Sequence, residues 1–542
     1  MGVLALSSFS SRVLLFLLIP VYTSYLTTKE VGVYDLILST VTILSPILTC
    51  NISSGVMRFF LDPSISKHDV SIVGFRYLLL GLFISFILIL LCRKYSSVIT
   101  DYSVYIFLFT FFFTVNHFLI CFAKGLEAVS ALAVASFFEA SSLLLGSVVL
   151  LRYLNLALEG FFLAAIISKV ISSVCLFTIL RVYKFVKIKD IMGLNNVCTF
   201  NSIGPNHNST NSLQWQMLSY SIPIIATYIG WWINSTAGRY LVAFFLGVGA
   251  NGILSVAYKI PQIVNLFHTV FIQAWQITAI KEWDSDDSKV YYGKMFLLNS
   301  FVLNMVGAFT ILFTSAICSL IFSSNFYNAR FYIPFLIISV IINSVAGFLG
   351  PILSAKKNSK ALAYSAFLGT VTNLFFAVIF IYFCGTQGAC FAAVISSLSI
   401  YIVRKFAVES DIIIPHYWTL YVTWSLLMAE AFIEIYTDYI WVESLIVIII
   451  IIVNNKEFSL VTKKGWDICN NLYHNLKRLS KFIKFWVCTE KCGMVIKAMA
   501  KLSDASNHRN KLTVSDSYIS LCSPRVLLIK KLVLISGCLS LT

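Results

Sequence analysis

Trp215-Gln216-Met217-Leu218-Ser219-Tyr220-Ser221-Ile222-Pro223-Ile224 opens the stretch that decides the fold; Gly230-Trp231-Trp232-Ile233-Asn234, Gly238-Arg239-Tyr240 and Phe245-Leu246-Gly247 follow. It continues through Val256-Ala257-Tyr258-Lys259-Ile260-Pro261 and Ile272-Gln273-Ala274-Trp275 to Trp283. Two apolar runs, 215–246 and 252–280, flank an expected turn at Gly247-Val248-Gly249-Ala250-Asn251-Gly252. A helix needs about 20 residues to cross a bilayer, so each run predicts a membrane-spanning helix. Each run also carries one cation, Arg239 and Lys259. An ionisable group inside a span is costly and by default marks a pathway or a site.

The whole chain has this character. Of 542 residues, 58% are hydrophobic and 12% charged, with a mean hydropathy of +0.86; soluble domains average about 25% charged. The expectation is an all-α polytopic membrane protein. The net charge of +16 is uneven. Beyond Asn455, fifteen Lys/Arg against five acids give 15 − 5 = +10, which favours an anionic membrane surface. No recognition motif accompanies that charge, so no nucleic-acid partner is expected. Many of the thirteen Cys sit inside apolar runs, where they behave as small hydrophobes. Cys488 and Cys492 have no second pair at zinc spacing, so neither a metal nor any other cofactor is expected. No phosphate-binding loop appears, which argues against direct use of ATP.

About fourteen spans are expected: 3–26, 33–57, 71–92, 98–122, 129–151, 155–180, 215–246, 252–280, 295–322, 331–354, 361–383, 388–406, 412–433 and 437–453. The Asn-rich stretch 183–213 reads as a polar linker between two halves. The organisation is then a six-helix bundle at 1–182, a second at 214–408, two extra transmembrane helices at 409–455, and a basic cytoplasmic tail at 456–542. Within that tail, apolar residues at Leu472, Leu476, Leu479 and Phe482 alternate with Lys477, Arg478 and Lys481, the pattern of an interfacial amphipathic helix over 472–501. Loops on one side carry Arg58, Lys67, Arg76, Lys124, Arg181, Lys184, Lys187, Lys189, Lys281, Lys289, Lys294, Lys356, Lys357, Lys360, Arg404 and Lys405. The other side has Lys29, Arg93, Lys94, Arg152 and Arg330. This bias predicts both termini in the cytoplasm.

The halves repeat one another. Residues 25–33 match 245–253 at an offset of 220, and Gly160-Phe161-Phe162-Leu163-Ala164-Ala165 matches Gly388-Ala389-Cys390-Phe391-Ala392-Ala393 at 228. Six spans per half is an even number. The halves therefore share one orientation, with a symmetry axis along the membrane normal and a path between them.

Ile19-Pro20-Val21-Tyr22-Thr23-Ser24-Tyr25-Leu26, Glu30-Val31-Gly32-Val33-Tyr34 and Ile52-Ser53-Ser54-Gly55-Val56-Met57-Arg58-Phe59-Phe60 resemble the opening of the oligosaccharide flippases of the O-antigen (Wzx) type. Arg239-Tyr240, Val256-Ala257-Tyr258-Lys259-Ile260-Pro261, Gln273-Ala274-Trp275, Phe322-Ser323-Ser324-Asn325-Phe326-Tyr327 and Pro334-Phe335-Leu336 are similar to that family's second half. The resemblance covers about residues 1–410. It implies the multidrug/oligosaccharidyl-lipid/polysaccharide exporter superfamily, with two six-helix bundles forming a V and two further C-terminal helices. The implied substrate is an oligosaccharide repeat unit (O-antigen or capsule) on undecaprenyl diphosphate, carried across the bacterial inner membrane. A polysaccharide polymerase and glycosyltransferases are the implied protein partners. Two features depart from the family: Gly238 stands where an acid often precedes the Arg-Tyr pair, and 456–542 has no counterpart.

A diphosphate crossing hydrocarbon needs a wet, cationic groove, and the planar fork of Arg pairs well with phosphate oxygens. The candidate substrate-binding residues are Arg12, Arg58, Arg239, Lys259, Gln273 and Tyr258, with Lys169 as a further cation. At 1.5 Å per residue, Arg239 and Lys259 lie about 10 Å below the outer surface, Lys169 about 13 Å and Arg12 about 22 Å; Arg58 lies near the cytoplasmic edge. Snorkelling or pairing is the plainer reading for Arg58 and Lys169. Asp35 and Glu139 are candidate ion-coupling groups or counter-ions to these cations. Trp231, Trp232, Tyr258, Gln273 and Trp275 could stack on sugars or form an interfacial belt. The expected activity is non-enzymatic flipping by alternating access. A drug/cation antiporter of the same fold wants an acidic cavity. A membrane polymerase or glycosyltransferase wants a catalytic loop, and no loop before residue 455 is large enough.

Overall fold

The computed structural model describes residues 2–94, 97–186, 210–283, 287–414, 417–437 and 439–460. The chain divides into two compact units, Met1–Phe458 and Ser459–Thr542, and every helix below belongs to the first. The linker residues 187–209 and the amphipathic helix expected at 472–501 lie outside the described residues.

Each expected span is met by helix, and the described residues contain no strand. Helix α1 is Gly2–Tyr25, α2 Thr28–Leu48, α3 Ile52–Phe60, α4 Lys67–Cys92, α5 Ser97–Gly125, α6 Val129–Ser147 and α7 Ala157–Ile179. Then come α8 Thr210–Leu246, α9 Val248–Ala257, α10 Lys259–Lys281, α11 Ser288–Leu312, α12 Thr314–Ile321, α13 Ile333–Ala355, α14 Ser359–Cys384 and α15 Thr386–Val408. The last are α16 Tyr417–Tyr436 and α17 Ile440–Val453. Among the described residues, nine helices alone are long and apolar enough to cross a membrane. Others are cut by breaks, and α17 is shorter, at 14 residues.

The breaks correct the expected boundaries, and each has a local cause. The span expected at 33–57 starts earlier, because Thr27 and Glu30 form a capping box that satisfies the first backbone N–H groups at Thr28. It is then interrupted after Leu48, where Cys50 and Asn51 turn left-handed at φ 50° and 49°. Pro46 sits in the last turn of α2 and its missing N–H weakens the helix there. The six-residue turn expected at 247–252 is a single residue, Gly247, at φ 90°, a conformation favouring glycine. Val248 already begins α9. The second break falls at Tyr258, because Pro261 cannot donate to the carbonyl of Ala257.

The repeated segments meet each other. A Cβ on Gly32 would lie 2.1 Å from the Val248 carbonyl oxygen, and one on Gly252 would lie 1.8 Å from the Thr28 carbonyl oxygen. Thr28 and Val248 are themselves 220 residues apart, as are Gly32 and Gly252. The α2–α9 crossing is thus reciprocal. Small residues let two membrane helices approach to backbone contact. A second contact lies further along, where Gly55 of α3 faces Met217 and Ser221 of α8 and Asn51 Nδ2 donates to the Ser221 carbonyl at 3.4 Å. The most deeply buried helix is α13. Helices α11 and α13 both pack on α16, and α11 and α16 both pack on α17.

Candidate functional site

Beside the α2–α9 crossing, lined by Val31 and Asp35 of α2 and Ser255 of α9, lies a cavity of about 770 Å³. Helices α1, α2, α6 and α7 wall one side, and α9 and α10 the other. Its walls are mainly apolar, with Tyr22, Tyr34 and Asp35 facing Lys259, Gln262 and Asn265.

The polar centre is clamped from three helices. Arg239 Nη1 of α8 donates to Asp35 Oδ1 of α2 at 2.8 Å. Nη2 reaches Thr236 Oγ1 at 3.3 Å and the Ser235 carbonyl at 3.4 Å. Asn251 Nδ2 of α9 donates to the other carboxylate oxygen and to the Gly32 carbonyl, both at 3.4 Å. The Arg239 guanidinium lies 5.5 Å from the centroid of the Tyr258 ring, a cation–π contact. Below it, Trp232 Nε1 donates to the Ser39 carbonyl at 2.7 Å, and Tyr240 donates to the Leu36 carbonyl at 3.0 Å. A buried guanidinium needs a counter-charge and hydrogen bonds; α2 supplies the counter-charge and one bond, and α8 itself supplies two more.

Two of the candidate cations are paired with acids. Arg239 is neutralised by Asp35. Lys169 is held by Glu139 at 2.6 Å, above the Phe113 ring at 5.2 Å, and neither lines the cavity. Arg58 is exposed on the last turn of α3, also away from the cavity. Lys259 lines the cavity, and among the described residues no carboxylate comes within salt-bridge distance of it. Arg12 and Gln273 belong to α1 and α10; their side chains lie outside the described residues. Trp275 is a core residue and not a sugar platform. It is 3% exposed, stacks on Phe348 at 4.3 Å and donates to the Phe348 carbonyl at 3.0 Å.

Sequence reading missed Tyr22, Tyr34, Asn251, Gln262 and Asn265. One signal was available: Ser255, Lys259, Gln262 and Thr269 recur at spacings of 4, 3 and 7 within an apolar run, a polar stripe along one helical face. The break at Tyr258 leaves that face turned to the cavity.

Residues 1–276 match the family model described as polysaccharide biosynthesis protein. Among solved structures, a lipid II flippase MurJ in an inward closed conformation superposes with a TM-score of 0.61 at 13% identity, over 86% of this chain and 99% of that one. An inward-facing multidrug resistance MATE family transporter of the MOP superfamily gives 0.60 at 13% identity, over 74% and 95%. No curated protein matches the sequence. At such identities the likeness shows the fold alone, whereas the family match spans more than half of the chain. The chain belongs to the polysaccharide biosynthesis protein family, as a multi-pass membrane protein with the all-helical fold of the MOP superfamily.

Proposed function

We propose that this protein flips oligosaccharide repeat units, linked to undecaprenyl diphosphate, across the bacterial inner membrane by alternating access. The observation carrying the reading is the cavity between the repeated helices, largely apolar and lined by a cation, Lys259, that among the described residues has no carboxylate at salt-bridge distance. Lys259 meets the diphosphate, while Gln262, Asn265 and Tyr34 offer hydrogen bonds to phosphate or sugar. A cationic drug would want a free carboxylate, and the cavity's Asp35 is already bound to Arg239, which disfavours the antiporter reading. The arrangement calls for no bond-breaking residue.

In this reading residues 1–182 and 214–408 are the two rocking bundles, both termini are cytoplasmic, and Asp35 and Glu139 are counter-ions. The Arg239–Asp35 pair fastens the bundles in the present conformation. Arg12 and Arg58 lie on the cytoplasmic approach. A polymerase and glycosyltransferases stand before and after the flippase in assembly.

The test is Lys259→Gln in a strain dependent on this protein. Export of the glycan should fall at least tenfold, as expected for about 1.4 kcal/mol or more of lost charge pairing, with lipid-linked repeat units accumulating on the cytoplasmic side. Lys259→Arg should retain part of the export. Normal export by Lys259→Gln refutes the reading.

A further inference from the structure

The α16–α17 hairpin, outside the two repeated halves, buries three acids that the cavity does not use. Glu430 is 0% exposed, Glu443 1% and Glu434 8%. Glu430 and Glu434 are one helical turn apart on one face of α16, and Glu443 lies in the first turn of α17. At 1.5 Å per residue, Glu434 sits about 3 Å and Glu430 about 9 Å below the end of α16.

Glu434 accepts from Ser315 of α12 and lies beside Glu443. Both oxygens of Glu430 are buried with no hydrogen-bond partner, and its nearest charged influences are Glu443 and Glu434. Arg330 acts on Glu434; it also donates to Ser315 at 2.9 Å and lies over the rings of Tyr327 and Phe331. The Cys318 thiol of α12 also feels Glu434. The packing helix α13 carries no charged residue, and the lysines of α11, Lys289 and Lys294, lie in its first two turns. Three buried carboxyl groups thus lie on two packed helices. Buried like charges cannot all ionise. Among the described residues no three acids are arranged to hold a metal ion, so the charge is not balanced that way.

We propose that Glu430, Glu434 and Glu443 form a proton-binding site at the turn end of the α16–α17 hairpin, separate from the cavity. Glu434 is the member kept ionised beside Arg330. Glu430, whose buried oxygens have no hydrogen-bond partner, takes up or releases a proton. The inference does not rest on the flippase reading.

The test is infrared difference spectroscopy on the purified full-length protein, stepped in pH in H₂O and D₂O. The wild type should show a protonated-carboxyl C=O band that shifts in D₂O and bleaches as pH rises. Glu430→Gln should remove the titrating part, and the triple Glu430→Gln/Glu434→Gln/Glu443→Gln variant should remove the band. Glu409→Gln, at an exposed position, should leave it intact. Absence of a buried carboxyl band in the wild type overturns the proposal, and needs no variant to fold. Persistence of the band in a monodisperse triple variant also overturns it. Bleaching by sodium at fixed pH overturns it in favour of a cation site.

Discussion

Asp35 and Arg239 meet at 2.8 Å across the contact between α2 and α8, with side chains 9% and 19% exposed. Removing one partner leaves an uncompensated buried charge, which costs about 3–5 kcal/mol. Asp35→Ala and Arg239→Ala should each lower the unfolding midpoint of the purified protein. The double variant should lose less than the sum of the two, a positive coupling of about 1–3 kcal/mol in a double-mutant cycle. Strict additivity would mean that the pair is not an energetic unit. Lys259 should behave oppositely. Among the described residues it makes no salt bridge, so Lys259→Gln should keep the midpoint while losing export.

Helices α2 and α9 cross at backbone contact only because Gly32 and Gly252 lack a Cβ. A Val at 252 would place that atom where only 1.8 Å separates it from the Thr28 carbonyl oxygen, so the crossing must open. Overpacking of this kind costs about 1–3 kcal/mol. Gly252→Val should insert but lose export, and Thr28→Cys in that background should react faster with a polar thiol reagent. Gly230 is the internal control, since a Cβ there meets nothing within 4 Å. Gly230→Ala should be neutral, or stabilise by up to about 1 kcal/mol through helix propensity. Unchanged labelling in Gly252→Val would show that the crossing does not gate access.

For the molecule as a whole, the loop-charge bias predicts the orientation, and the charge of the tail predicts affinity for an anionic surface. Reporter fusions after residues 190 and 455 should read cytoplasmic, and fusions after 247 and 385 external; an external signal after 190 would overturn the span count. The tail past Asn455 carries +10, at about 1 kcal/mol per Lys or Arg near an anionic surface. The helices already hold the protein in the membrane, so truncation after Leu460 should leave glycan amount and chain length unchanged. Shortened glycan at normal protein level would instead make the tail a docking segment for a partner enzyme.

Sequence alone determined the all-helical membrane fold and the repeat. These depend on local hydropathy and spacing, which the order of residues carries directly. Gly32 and Gly252 were visible as repeat partners, and Lys259 as an isolated cation in an apolar run. Which cations remain free was decided by tertiary structure. Arg239 and Asp35 are 204 positions apart, and only the packing of α8 on α2 makes them one neutral pair. The same holds for the buried carboxyl groups of α16 and α17, which two packed helices place together. Hydropathy records how each residue partitions on its own; charge pairing records which residues meet, and that depends on the fold.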